Sequence, residues 1–120
     1  KRLEGIKISL LNGDSSSGIE YRTHVQTYGW QNWAKNGALS GTSGESKRLE
    51  AIQMKLTGTA AQKYDIYYRV HSQTYGWLGW AKNGERAGTE GKSKRLEAIQ
   101  IKLVNKGGVA PTSTTSSFVK

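Results

Sequence analysis

In the segment IEYRTHVQ, Ile19, Tyr21, Thr23 and Val25 fall on one face, and Glu20, Arg22, His24 and Gln26 on the other. A two-residue period with β-branched and aromatic residues on its apolar side predicts a half-buried strand. The same alternation returns in Ile66, Tyr68 and Val70 against Arg69, His71 and Gln73. It appears again in Ile52, Met54 and Leu56, in Ile6, Ile8 and Leu10, and in Ile99, Ile101 and Leu103. Between strands, Asn36-Gly37 and Asn83-Gly84 signal hairpin turns, because both turn positions need a positive φ. Gly41 to Gly44 and Gly88 to Gly91 are expected to form tight turns. No segment carries a helical period, so the chain is expected to be all-β.

The elements repeat. Tyr21 to Leu56 aligns without gaps onto Tyr68 to Leu103 at a spacing of 47, with 26 of 36 positions identical. Lys1 to Leu10 (KRLEGIKISL) copies the last ten residues of that unit. The expected organisation is therefore residues 1–10 as the C-terminal strand of an incomplete first repeat, then repeats at 19–56 and 66–103. Residues 105–120 are rich in Gly, Ser and Thr without a period and are expected to be a linker or tail. Leu11–Gly18 and Thr57–Lys63 are expected to be solvated loops. Three KRLE strands point to pseudo-threefold closure, as in a β-prism or trefoil. A linear array of β-hairpin repeats is the alternative.

Composition first argues the other way. Leu, Ile, Val and Phe make up only about 18% of the 120 residues, and the formal net charge is +9, which together resemble a disordered chain. The repeat answers this, because the scarce aliphatics are concentrated in alternating strands. The absence of cysteine excludes disulfides, thiolate metal sites and cysteine nucleophiles. No apolar run approaches the ~20 residues of a membrane helix, so no membrane insertion is expected.

The chemically suggestive motif is Gly-Trp-x-x-Trp, which pairs Trp30 with Trp33 and Trp77 with Trp80. In a chain this poor in aliphatics, tryptophan can fill the core. An exposed indole can instead stack on the C–H face of a sugar ring while amides fix the hydroxyls. Trp33 and Trp80, which begin the hairpins, are the expected exposed members, and Trp30 and Trp77 the more buried ones. Asn36, Asn83, His24 and His71 complete the candidate ligand-binding set, with Asn32 and Gln26 nearby. Two histidines from different repeats make a poor metal site without matching carboxylates, and a structural imidazole is the favoured reading. No cofactor is expected.

Glu4, Glu50 and Glu97 recur after Arg-Leu, and alternation with Ile52 and Met54 turns Glu50 toward the core. A buried carboxylate needs a partner, so a local bulge or an ion pair with Arg48 or Arg22 is expected. Each repeat offers one recurrent acid where glycosidases need two. Nucleophile triads, phosphate loops and zinc motifs are also missing from the sequence. The chain is therefore not expected to be an enzyme. The basic excess fits a solvated surface, nucleic acid or an anionic polymer such as teichoic acid, and nucleic acid ranks lowest.

The succession Tyr-Arg-x-His-x-Gln-x-x-Gly-Trp-x-x-Trp, Asn-Gly, Gly-Thr-x-Gly and Arg-Leu-Glu-Ala-Ile-x-x-Lys-Leu resembles the ChW repeat, named for clostridial, hydrophobic, conserved tryptophan. It covers Tyr21–Leu56 and Tyr68–Leu103 in full and Lys1–Leu10 in part. The resemblance implies modules of secreted or surface-attached proteins of Gram-positive bacteria, with Trp30 and Trp77 as the name-giving residues. It also implies binding to cell-wall material, polysaccharide or surface proteins. The expected function is a non-catalytic extracellular module for a polysaccharide or cell-wall polymer, an anionic polymer being the one that matches the basic charge. The alternative is an assembly module that self-associates as a homo-oligomer or joins surface proteins.

Overall fold

Alternation becomes pairing in the computed structural model, which describes residues 3–11 and 13–120. Lys1 and Arg2 of the incomplete first repeat lie outside the described residues. The first repeat contributes β1 (Gly5–Ile6). The second contributes β2 (Gly18–Val25), β3 (Gly29–Trp30), β4 (Ala34–Lys35), β5 (Ser40–Gly41) and β6 (Leu49–Thr57). After a short helix α1 (Gly58–Lys63), the third repeats the series as β7 (Tyr64–Ser72), β8 (Gly76–Trp77), β9 (Ala81–Lys82), β10 (Ala87–Thr89) and β11 (Leu96–Asn105). A last strand, β12 (Phe118–Val119), lies in the tail. The fold is all-β with internal repeats, and its sheets do not close into a barrel.

Within a repeat, the two long strands form an antiparallel pair, β2 with β6 and β7 with β11. The short strands β3 and β4 fold back on the other edge of β2, as β8 and β9 do on β7. Between repeats, the Gly-Thr strand crosses to the preceding repeat. β5 pairs with β1 (Gly41↔Gly5) and β10 pairs with β6 (Gly88↔Ala51). The starts of the three KRLE strands meet, because Leu49 N–H donates to the Leu3 carbonyl at 3.0 Å and Leu3 N–H to the Leu96 carbonyl at 3.2 Å. In a linear stack each repeat touches only its neighbours. Here the first and third are hydrogen-bonded.

Tyr21 and Tyr68, rather than tryptophans, supply the aromatic bulk of the core, and both are fully buried. Each hydroxyl is satisfied: Tyr21 Oη accepts from Ile8 N–H at 3.0 Å and donates to the Ala38 carbonyl, and Tyr68 Oη donates to the Glu85 carbonyl. Around them pack Ile19, Val25, Leu49, Ile52, Met54, Ile66, Val70 and Leu96. The repeats also exchange a polar pair for an apolar one. Thr23 and Ser40 share a buried hydrogen bond of 2.9 Å in the second repeat, where the third has Val70 and Ala87. Replacing both partners together leaves no buried hydroxyl unmatched.

Other segments differ from expectation, and among them Gly41 and Gly88–Thr89, expected in tight turns, lie in β5 and β10. Thr57–Lys63 is not an irregular loop, since Gly58–Lys63 forms a six-residue helix that buries Ala60. Gly58 opens it at φ +63°, and a Cβ there would lie 1.7 Å from the Ser16 carbonyl oxygen. The Gly/Ser/Thr-rich segment 105–120 carries β12, which runs parallel to β10 (Gly88↔Phe118, Thr89↔Val119). A side chain explains why the tail docks there. In the second repeat Gly41 N–H donates to Gln31 Oε1 at 2.7 Å, but Leu78 occupies the corresponding position of the third. Gly88 N–H donates instead to the Ser117 carbonyl at 2.9 Å.

Candidate binding surface

The polar side of β2 sets out Arg22 and His24 two residues apart, and therefore on one face. Positive φ at Thr27 (75°) and Gly29 (76°) turns the chain back so that Trp30 pairs opposite His24. Trp33 follows just before β4. The Arg22 guanidinium sits 5.1 Å from both ring centroids, so the cation lies between two indoles. Lys55 Nζ approaches Trp33 at 4.5 Å. Arg22 Nε donates to Gln53 Oε1 at 2.6 Å, which holds the guanidinium in place. Each cation–aromatic contact is worth about 0.5–2 kcal/mol, depending on how dry it is.

A second layer fixes the histidine. His24 meets Trp30 edge-on at 5.3 Å, and its Nδ1 lies 3.0 Å from Glu50 Oε1. Arg48 Nε donates to Glu50 Oε2 at 2.9 Å. The strand register shifts between His24 and Val25, opposite Glu50, so this carboxylate is accommodated by a bulge and the Arg48 ion pair. One or the other was expected from the charge at a core-side position, and the strand has both.

The third repeat builds the same arrangement. Arg69 lies 4.7 Å from Trp77 and 4.9 Å from Trp80, with its Nε donating to Gln100 Oε1 at 2.6 Å. His71 meets Trp77 at 5.3 Å, and its Nδ1 lies 3.1 Å from Glu97 Oε1. Tail residues Thr112–Thr115 border this surface and leave a shallow cleft of about 90 Å³ beside Arg69, Trp77 and Trp80. Trp80 N–H donates to Ser113 Oγ at 2.8 Å.

The structure therefore brings Trp30, Trp33 and His24 together, and Trp77, Trp80 and His71 together. The burial expected of the tryptophans is corrected. Trp30, Trp33 and Trp80 are half-buried, and Trp77, expected to be a buried member, is the most open at 37%. All four lie outside the core because the tyrosines of β2 and β7 fill it. Trp30 differs from Trp77 through its neighbour: its Nε1–H donates to Glu90 Oε1 at 3.0 Å, a bond that lowers the Glu90 carboxyl pKa.

Asn36 and Asn83 are held by the fold rather than grouped with the rings. Asn36 Oδ1 accepts from Ile19 N–H and Asn83 Oδ1 from Ile66 N–H, each at 2.9 Å. Asn83 Nδ2 also donates to Asp65. That amide, with Lys106 and Gly107 N–H, holds the Asp65 carboxyl well below the usual carboxylate range. Sequence reasoning passed over Arg22 and Arg69 as members of the site. The signal was present: in both repeats an arginine shares a strand face with the histidine.

The model of the family described as Clostridial hydrophobic W (ChW) matches residues 24–58 and 71–105. No curated protein and no solved structure matches the chain.

Proposed function

The chain belongs to the ChW family, and we propose that it is a non-catalytic binding module for a polysaccharide or cell-wall polymer outside the bacterial cell. The observation that carries this reading is the Trp–Arg–Trp ledge, built twice from Trp30, Arg22 and Trp33 and from Trp77, Arg69 and Trp80. Indole faces suit the C–H faces of sugar rings. A guanidinium has five N–H donors, and only the Nε donor is committed to a glutamine. The remaining donors suit sugar hydroxyls or the phosphates of an anionic polymer. An open ledge, with a cleft far below the ~300 Å³ of a typical small-molecule pocket, suits a chain-like ligand. Two weak sites on one body gain strength on a repetitive polymer through effective concentration.

The formal net charge of +9 supports an anionic ligand. The alternative, an assembly module, draws support from the apolar side chains Ile101 and Leu103, exposed at 44% and 43%. No helix among the described residues is long and apolar enough to cross a membrane. The test is retention on Gram-positive cell walls, measured at low and high salt for the parent chain and for Trp33→Ala plus Trp80→Ala. The double variant should keep its circular-dichroism spectrum and lose most retention, roughly tenfold or more. Undiminished wall binding would overturn the ledge as the site.

A further inference from the structure

The three KRLE segments present the same positions to three different surroundings. Gly5, Ala51 and Ala98 correspond, as do Ile6, Ile52 and Ile99, and then Ile8, Met54 and Ile101. On β1, the second repeat covers this row: Gly41 and Ser40 pair with Gly5 and Ile6, Gly37 N–H donates to the Ile8 carbonyl at 2.7 Å, and Tyr21 Oη takes Ile8 N–H. On β6, the third repeat does the same with Gly88, Ala87, Gly84 and Tyr68, and Ala51, Ile52 and Met54 are fully buried. On β11 the row is uncovered. Ile101 pairs with Tyr68 as Met54 pairs with Tyr21, so its N–H and C=O point away from β7 in the same way.

The covering segments also follow a cyclic rule. The segment β2–β5 bridges two KRLE strands, β1 through β5 and β6 through β2. The segment β7–β10 bridges β6 through β10 and β11 through β7. The remaining pair is β11 with β1, whose starts are already joined by the Leu3–Leu96 hydrogen bond. Between their far ends, Leu10, Leu11, Ala60, Tyr64 and Leu103 line an apolar hollow of about 120 Å³.

We infer that β11 and β1 together form a socket for one further strand–hairpin–turn segment of the same repeat. Its Gly-Thr strand pairs with Ala98–Ile99, its tyrosine hydroxyl and Asn-Gly turn take the Ile101 N–H and C=O, and its first strand pairs with the outer edge of β1. The occupant is recognised by its pattern: a tyrosine, a glycine of Asn-Gly sixteen residues on, as from Tyr21 to Gly37, then a small residue before Gly-Thr. This inference is independent of the polymer-binding reading, since the socket lies on the strands and not on the Trp–Arg–Trp ledges.

The test extends the full chain by fusing a copy of residues 64–93 directly before Lys1, so that Lys1 follows the copied segment as Lys94 follows Ser93. The extended chain should remain monomeric at rising concentration, and the Ile101 amide should exchange at least about tenfold more slowly than in the parent. Ile101→Asp should be tolerated in the parent and should markedly lower the melting temperature of the extended chain. Concentration-dependent oligomers, unchanged Ile101 exchange, or an Ile101→Asp effect equal in both chains would each overturn the socket.

Discussion

β6 and β11 begin with the same residues, Leu-Glu-Ala-Ile-Gln, and pair with equivalent partners, yet Met54 is fully buried and Ile101 is 44% exposed. Their own sequences do not account for this. β10 lies across β6, and no strand among the described residues lies across β11. In a repeat protein the burial of a strand is set by its neighbour as much as by its own alternation. The two lobes differ at their base as well. The third repeat has Asp65 where the second has Gly18, and Asp65 clasps Asn83, Lys106 and the Gly107 N–H. One lobe is therefore stabilised by the next repeat, and the other partly by its own C-terminal segment.

The contrast breaks most sharply at Gly88. It has φ +123°, and a Cβ would lie 2.4 Å from the Glu50 carbonyl, whereas Gly91 has φ +78° with open space around it. Gly88→Ala should cost at least about 3 kcal/mol in urea unfolding and Gly91→Ala about 1 kcal/mol. Equal costs would mean that β10 on β6 does not hold the lobes together. Next in size is the pair Met54→Ala and Ile101→Ala. The first should cost about 2–4 kcal/mol and the second under about 1 kcal/mol. Similar values would dissolve the distinction between a covered and an uncovered strand.

The smallest expected effect concerns Tyr68, whose burial pushes its hydroxyl pKa from 10.0 up to about 12. The folded state therefore keeps the proton after the unfolded chain has lost it, and stability falls as pH rises from about 10 to about 12. Tyr68→Phe should cost about 1 kcal/mol at neutral pH and flatten that alkaline decline, measured by urea unfolding across the range. An undiminished slope would place its origin elsewhere.

The long strands were legible because alternation is a local signal and each was written two or three times. Glu50 was legible too: a charge at a core-side position demanded a bulge or a partner, and the strand supplies both. The tryptophans were less so. Trp30 ends the two-residue β3 and Trp33 just precedes the two-residue β4, where no period assigns a face, and Arg22 decides their setting from another strand. The docking of the tail was hidden for a similar reason. It depends on Leu78 standing where Gln31 stands in the other repeat, and on a backbone carbonyl far along the chain answering the lost amide. Side-chain alternation records nothing about such long-range replacements.

The parallel pairing of β12 with β10 has a mechanical consequence. A pull on Lys120 first loads its ion pair with Glu90 and the hydrogen bonds from Gly88 and Glu90 to the tail. Once these yield, the load passes to the bonds from Gly79 N–H to the Ser116 carbonyl and from Trp80 N–H to Ser113 Oγ. After them the stretch from Gly108 to Ser113 straightens, up to about 20 Å at the reach of an extended chain. Tension then arrives at the last of these fastenings, Lys106 and Gly107 on Asp65. The tail thus behaves as a tether with catches in series, each giving way to absorb a jolt before the long strands are loaded.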